Sequence, residues 1–323
     1  MSEFEKSLRP HSFEDFIGQK HIINNLKIYI QAAMMRDEVL DHCLFHGPAG
    51  LGKTSLAQIM ANELKVDLTA LSALGISHSG DLIAVVSDLK RGEILFIDEI
   101  HRLSKSLQET LYTIMEDFSI DIVVGSEESA RSIHLKLEPF TLIGATTLVS
   151  NLTPAFKDRF GIQAKFEYYD AQDIQSIIMR SSEIMMCNID TNAIIELTKR
   201  SRGTPRIANR YLKRVWDFAT VYQNQSIDSE LALHALDQLN IDESGLSDTD
   251  LQYLQVLIGR FKGGPVGVQA LASILSEEVS TLESVYEPYL LQIGMIDRTS
   301  RGRIATQSAY HHLGIIKDFD KEI

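Results

Sequence analysis

Apolar residues recur at helical spacing through residues 19–36, at Ile22, Leu26, Ile30 and Ala33, which predicts an amphipathic helix. A short apolar run from Cys43 to Phe45 leads into a glycine-rich turn and then a long helical stretch from Lys53 to Leu64. That order is strand, loop, helix. A second apolar run, Ile94 to Ile97, stands behind the turn residue Gly92 and predicts another strand. Ser104 then reads as the N-cap of a helix reaching Phe118, with Leu107, Leu111, Ile114 and Met115 on one face. The runs Ile120 to Val124 and Ile133 to Leu137, joined by the polar stretch GSEESARS, predict a hairpin, and Phe140 to Ala145 predicts a further strand. Strands alternating with helices predict a parallel sheet with helices on both faces.

The pattern changes after Tyr169. Residues 170–240 carry only helical periodicity, with Asp190 and Asp228 as N-caps and Thr204-Pro205 as a cap followed by proline at the first helical position. The polar stretch IDESGLSDTD, residues 241–250, reads as a linker. Residues 248–314 show about three helical patterns, then Met295 to Arg298 and Arg303 to Thr306 around the turn TSRG. Helices followed by a short hairpin are the pattern of a winged helix.

Composition narrows the function. The 323 residues contain 31 Lys and Arg against 44 Asp and Glu, a net charge of -13, so nucleic acid could be held only by a local basic patch. Phosphates gripped by backbone N–H groups and one or two cations remain open. Two cysteines, Cys43 and Cys187, build neither a disulfide framework nor a four-cysteine metal site. There is no apolar signal-peptide core and no run of 18 apolar residues, which predicts a soluble, cytoplasmic chain with no membrane partner.

The strongest chemical signal is Gly47-Pro48-Ala49-Gly50-Leu51-Gly52-Lys53-Thr54, which fits G-x-x-x-x-G-K-[ST] at every defined position. Its glycines, Gly50 and Gly52 among them, let the loop wrap so that successive N–H groups face phosphates. Lys53 adds a point charge, and Thr54 offers a hydroxyl to Mg²⁺. The second signal is Ile94-Leu95-Phe96-Ile97-Asp98-Glu99, an acidic pair ending a buried strand. Asp98 is suited to hold Mg²⁺ through water and Glu99 to activate the attacking water. Together the motifs predict hydrolysis of a nucleoside triphosphate. Thr146 and Thr147 end the following strand, where a hydroxyl can meet the γ-phosphate or the water; a turn bond is the plainer reading. His101 has no second histidine at ligand spacing and reads as non-metal. Arg206 opens a helix, against the dipole, which points weakly to an anionic partner; a solvated charge run is the plainer reading.

Taken together, LRP with FIGQ, LFIDEIHRL, MEDFSIDIVVG, PFTLIGATT, DRFGI, SRGTPRIANR, GGPVG, VYEPYLLQIG and RTSRGR resemble the RuvB family, bacterial Holliday-junction branch-migration motors of the AAA+ class. The resemblance runs from Leu8 to Gly314. It implies a large α/β AAA+ P-loop ATPase domain (1–169), a small all-helical lid (170–240) and a winged-helix DNA-binding domain (243–323). By resemblance, Leu8 and Arg9 reach the adenine side. Gly50, Lys53, Thr54 and Ser55 contact phosphate, while Glu116, Asp117, Phe118 and Tyr169 are further nucleotide-site positions. Thr147 resembles the strand-end sensor, Arg206 the lid's sensor arginine, and Arg159 a finger inserted into a neighbour's site. Arg298 and Arg303 match DNA-contacting arginines. The hairpin of residues 120–137 resembles the element that docks a RuvA tetramer.

The function so implied is ATP-dependent DNA translocation and helicase action driving branch migration in homologous recombination and repair. A homohexamer would encircle duplex DNA beside a RuvA–junction core, with the RuvC resolvase in the larger complex, and ATP and Mg²⁺ would be required. The sequence departs from the family at Ala49, Leu148 and Lys157, where a second proline and two arginines are usual. A clamp-loader-like or remodelling AAA+ ATPase is the alternative, but a helical collar would then stand where Arg298, Arg301 and Arg303 stand. A nucleotide switch that does not hydrolyse is a third, opposed by Asp98-Glu99.

Overall fold

The computed structural model describes residues 7–124, 131–222 and 226–316. They fall into two compact units that divide after Tyr169.

In the first unit the described elements are α1 (Lys20–Arg36), β1 (Cys43–His46), α2 (Lys53–Leu64), β2 (Leu68–Ser72), α3 (Ser79–Asp88), β3 (Ile94–Asp98), α4 (Lys105–Asp117), the hairpin strands β4 (Ser119–Val124) and β5 (Arg131–Lys136), β6 (Thr141–Thr146), α5 (Pro154–Asp158) and β7 (Ile162–Lys165). Five strands form one parallel sheet in the order β2-β3-β6-β1-β7. Every residue of β6 is buried, as are the first three of β1 and the first four of β3. Continuous burial on successive residues means that both faces of the sheet are covered, as parallel sheets require. One core packs α3, α4 and α5 against β3 and β6 through Leu82, Leu111, Ile114, Leu142 and Phe156. Leu26 of α1, Leu56 and Ile59 of α2 and Phe45 of β1 are also buried.

The periodicity located α1, α2, α4 and the hairpin closely, and Ser104 does cap α4, its hydroxyl accepting from the Leu107 N–H. It missed β2, α3, α5 and β7. The β7 strand alternates buried and exposed residues along IQAK, a short signal that could have been read. The turn of the β4–β5 hairpin, residues 125–130, lies outside the described residues.

The second unit begins with α6 (Ala171–Ile184), α7 (Thr191–Arg200), α8 (Pro205–Val221) and α9 (Ser229–Gln238), packed on one another. Asp190 and Asp228 cap their helices, accepting from the Ala193 and Leu231 N–H groups. Thr204 is the N-cap residue of α8, but its side chain does not cap; the hydroxyl donates to the Arg202 carbonyl. Next come α10 (Asp248–Gly259), α11 (Val268–Leu275) and a helix passing through a π turn at Leu282–Tyr286 into α12 (Glu287–Gln292). The wing, β8 (Ile296–Thr299) with β9 (Gly302–Ala305), and α13 (Gln307–His312) complete the unit. Tyr253, Leu254, Leu257, Leu271, Leu290 and Ile296 form its core around the wing.

The expected linker at 241–250 is corrected. Leu246 and Asp250 are fully buried, and Asp248–Asp250 belong to α10. Asp242 accepts from the Ser244 and Leu246 N–H groups and meets His312 Nε2 at 2.7 Å. Arg202 donates from Nε to the Gly245 carbonyl (2.7 Å), pairs with Asp250 (2.5 Å) and stacks over Tyr289, whose hydroxyl bonds the Ser244 carbonyl. The polar letters in this stretch turn inward to satisfy one another, so its polarity does not mean solvation.

Candidate functional site

The phosphate loop lies between β1 and α2. At Gly47 (φ 138°) a Cβ would stand 2.4 Å from the Phe166 carbonyl oxygen, so only glycine fits. At Gly52 (φ 100°) it would strike the Phe16 ring at 2.8 Å, with the Tyr169 hydroxyl 3.6 Å away. The loop is thus clasped by the N-terminal segment and by Tyr169, whose hydroxyl donates to the Leu51 carbonyl. Leu8 is buried in this unit. Lys53 is buried, with its ammonium donating at 2.8 Å to the Gly47 and Pro48 carbonyls. Thr54 and Ser55 follow on the first turn of α2, both half-buried.

Strand β3 delivers the acidic pair. Asp98 takes the Glu99 N–H on Oδ1, leaving its other oxygen for a ligand. Glu99 has a left-handed backbone (φ 52°) and turns the chain into a short turn, Ile100–Arg102. Because β6 is the parallel neighbour of β3, its end brings Thr146 and Thr147 beside the acidic pair. The Thr147 hydroxyl donates to Glu99 Oε2 at 3.3 Å. His101 Nδ1 is 3.2 Å from that same oxygen and 2.9 Å from Thr146 Oγ1. Burial pushes His101 below the usual imidazole range, with Glu99 opposing. Nothing in the sequence connects His101 with Glu99. Among the described residues no cluster of metal-ligating side chains occurs.

Arg159 is not near this loop. It precedes β7, whose first residue, Ile162, pairs with Cys43, whereas the phosphate loop follows the other end of β1 at His46. Five residues of strand from His42 to Gly47 span roughly 16 Å. Arg159 pairs with Glu116 at 2.6 Å and lies over the Tyr112 ring. Asp117 and Phe118 end the same helix, and the Phe118 ring packs on His42 and Phe140. The expected nucleotide-site residues therefore form two groups at opposite sheet ends: Lys53, Thr54, Ser55, Asp98, Glu99, Thr147 and Tyr169 at one, Glu116, Asp117, Phe118 and Arg159 at the other. Arg206 is exposed on the first turn of α8 in the second unit.

On the wing, Arg298 and Arg303 converge on Glu287, which is fully buried. Arg298 pairs with its Oε2, Arg303 Nε donates to Oε1 at 3.0 Å, and Arg303 Nη2 also meets Glu283 at 2.6 Å. Burial alone would raise the Glu287 carboxyl, but the two arginines outweigh it and hold it below the usual carboxylate range. The Arg303 side chain is only 13% exposed and that of Arg298 43%, so Arg303 braces the wing from within while Arg298 remains accessible. Arg301 is exposed at the hairpin tip.

A phosphate loop and an acidic strand end on a five-stranded parallel sheet, with a helical lid and a winged helix, define an AAA+ P-loop ATPase. Family models match in the same order: the Holliday junction DNA helicase RuvB P-loop domain over residues 8–166, the RuvB AAA lid domain over 169–242 and the RuvB C-terminal winged helix domain over 243–314. The chain belongs to the RuvB family. It is 52% identical over 311 residues to the Holliday junction branch migration complex subunit RuvB of Lactobacillus delbrueckii subsp. bulgaricus, covering 96% of this chain and 93% of that one. The Flavobacterium psychrophilum protein of the same name is 51% identical over 315 residues, 98% of this chain and 93% of its own. The solved Thermotoga maritima RuvB Holliday junction branch migration motor superimposes with a TM-score of 0.89 at 43% identity, over 97% of this chain and 100% of that one.

Proposed function

We propose that the chain is an ATP-driven DNA translocase that moves Holliday junctions, acting in the cytoplasm in recombination and repair. The observation that carries this reading is the presence in one chain of a complete phosphate loop with an acidic strand end and an arginine-bearing winged helix, matched in order by RuvB family models. The remodelling alternative is not favoured, because the third domain is a winged helix rather than a helical collar.

We assign residues 1–169 to the ATPase domain, 170–240 to the lid and 243–323 to the winged helix. The loop N–H groups at Gly50 and Gly52, the Lys53 ammonium and the Ser55 hydroxyl bind phosphate. Leu8, Arg9 and Tyr169 frame the base side, and Arg206 is the lid's sensor arginine. Glu99 takes a proton from the attacking water, and Thr147 orients Glu99 and senses the γ-phosphate. The Thr54 hydroxyl and the uncommitted oxygen of Asp98 suit Mg²⁺, a hard cation that takes oxygen ligands. When bound, that ion neutralises phosphate charge. Arg159, with Glu116, Asp117 and Phe118, serves a neighbour's nucleotide in a homohexamer. The 120–137 hairpin docks RuvA, with RuvC in the larger assembly. Arg298 and Arg303 bear on the DNA backbone; Glu287 and Glu283 together offset their two charges, so the grip is modest and Arg301 adds to it.

The test is dissociation of a synthetic four-way junction by purified chain with RuvA, Mg²⁺ and ATP. Junction movement with ATP, and none with a non-hydrolysable analogue, is the expected result. Robust ATPase with no junction movement would return the remodelling reading to favour.

A further inference from the structure

His101 is a buried titratable group without a role in the proposed reaction. Its side chain is 7% exposed, inside the short turn Ile100–Arg102, and it contacts two elements at once. Nδ1 faces Glu99 Oε2 at 3.2 Å and Thr146 Oγ1 at 2.9 Å. The Glu99 oxygen is an acceptor only when ionised, so two lone pairs would confront each other unless Nδ1 carries the proton. The geometry therefore fixes the tautomer as Nδ1–H, which donates to Thr146 and faces Glu99. Thr146 is itself held, because it is buried and its oxygen accepts the Leu148 N–H at 2.9 Å.

We infer that His101 is the positioning residue for Glu99, fixing the carboxylate against the end of β6. This rests on the reading of Glu99 as the base for the attacking water. Glu99 projects from a strand end with three rotatable side-chain bonds, and its side chain is 34% exposed. Thr147 alone constrains it with one long bond of 3.3 Å. The His101 N–H, bonded to Thr146, lies 3.2 Å from the same oxygen and attracts it electrostatically from a rigid, buried ring. With Oε2 held by Thr147 and drawn toward the His101 N–H, Oε1 is left to accept the proton of the attacking water. Losing that polar contact to a charged group should lower turnover by about tenfold to a hundredfold. Nucleotide affinity should not change, since no phosphate contact is assigned to His101.

The experiment compares His101→Phe, His101→Asn, His101→Gln and Glu99→Gln for steady-state ATPase on duplex DNA, fluorescent-ADP affinity and melting temperature. An asparagine amide N–H can occupy the position of Nδ1, whereas the glutamine amide reaches the position of Nε2. The expected pattern is a turnover loss of about tenfold to a hundredfold in His101→Phe at unchanged ADP affinity, activity within about threefold of wild type in His101→Asn, and loss in His101→Gln. Unchanged turnover in His101→Phe, or equal loss in the asparagine and phenylalanine variants, overturns the assignment. So does a fall in ADP affinity that parallels the fall in turnover. If His101→Phe fails to fold, the Asn–Gln contrast decides: equal activities overturn the assignment, and an active Asn with an inactive Gln supports it. If Glu99→Gln itself keeps hydrolysing, the reading of the base fails, which is distinct from a failure of His101 alone.

Discussion

At the scale of single residues, Lys53 and Glu99 separate binding from turnover. Lys53→Ala should abolish tight ATP binding, because the phosphate cradle loses its cation. Glu99→Gln should bind ATP normally and release no phosphate, measured by equilibrium binding beside a phosphate-release assay on duplex DNA. His42 carries a pH prediction. It is buried, its Nδ1 accepts the Leu142 N–H at 2.9 Å, and its Nε2 lies 3.3 Å from the Met115 carbonyl. Burial, with a smaller contribution from Arg159, lowers its pKa, while the Met115 carbonyl and Asp41 oppose. The folded state therefore keeps His42 neutral, whereas the unfolded chain protonates it near pH 6.5. Stability is full above that pH and falls as acid protonates the unfolded state preferentially. Urea midpoints should drop between pH 7 and pH 5, and His42→Gln should flatten that slope. On the wing, Arg298→Ala and Arg301→Ala should each reduce the slope of log affinity against log salt by about 0.9 per lost phosphate contact. Arg303→Ala should do so while also lowering the melting temperature, since breaking a buried pair costs about 3–5 kcal/mol.

At the scale of elements, what could be read from the chain depended on repetition. Helix α1 spreads its apolar residues over 17 positions and α4 over 13, enough turns for a face to emerge. The phosphate loop was legible because its chemistry requires glycine and lysine at fixed offsets. Strands β2 and β7 have five and four residues, and their burial is decided by neighbours distant in sequence. His101 escaped for a related reason: its partners, Thr146 and Glu99, meet only because β6 lies beside β3. Likewise Glu287 hid its hold on Arg298 and Arg303, eleven and sixteen residues downstream. Residues 241–250 misled because polar composition does not distinguish solvated groups from groups bonded to each other. That segment supplies its own prediction. Gly245 has φ 75°, and a Cβ there would stand 2.6 Å from the Arg200 carbonyl. Gly245→Ala should cost about 1–3 kcal/mol in chemical denaturation and expose 241–247 to limited proteolysis.

At the scale of the whole molecule, the proposed assignment of Arg159 and Glu116 to a neighbour's nucleotide, at the sheet end opposite the phosphate loop, would make one chain an incomplete catalyst. A cation that completes a neighbour's site is worth about 10³–10⁵ in rate in related phosphoryl-transfer enzymes. Arg159→Ala and Lys53→Ala chains, each inactive alone, should regain ATPase on mixing, because some interfaces then pair an intact loop with an intact arginine. Co-assembled mixtures no more active than either parent would remove Arg159 from that role. In the proposed ring such an interface would join unlike faces, so only a closed assembly would leave neither half idle. The joint built on Arg202 has a mechanical meaning beyond stability. Arg202 stands four residues before Arg206 in the sequence, and it grips Gly245, Asp250 and Tyr289 on the winged-helix side of the same compact unit. These contacts tie the lid and the wing into one arm of the same compact unit. A turn imposed on the lid would be carried to the wing tip enlarged in proportion to the length of the arm, with none of the stroke spent in bending a tether.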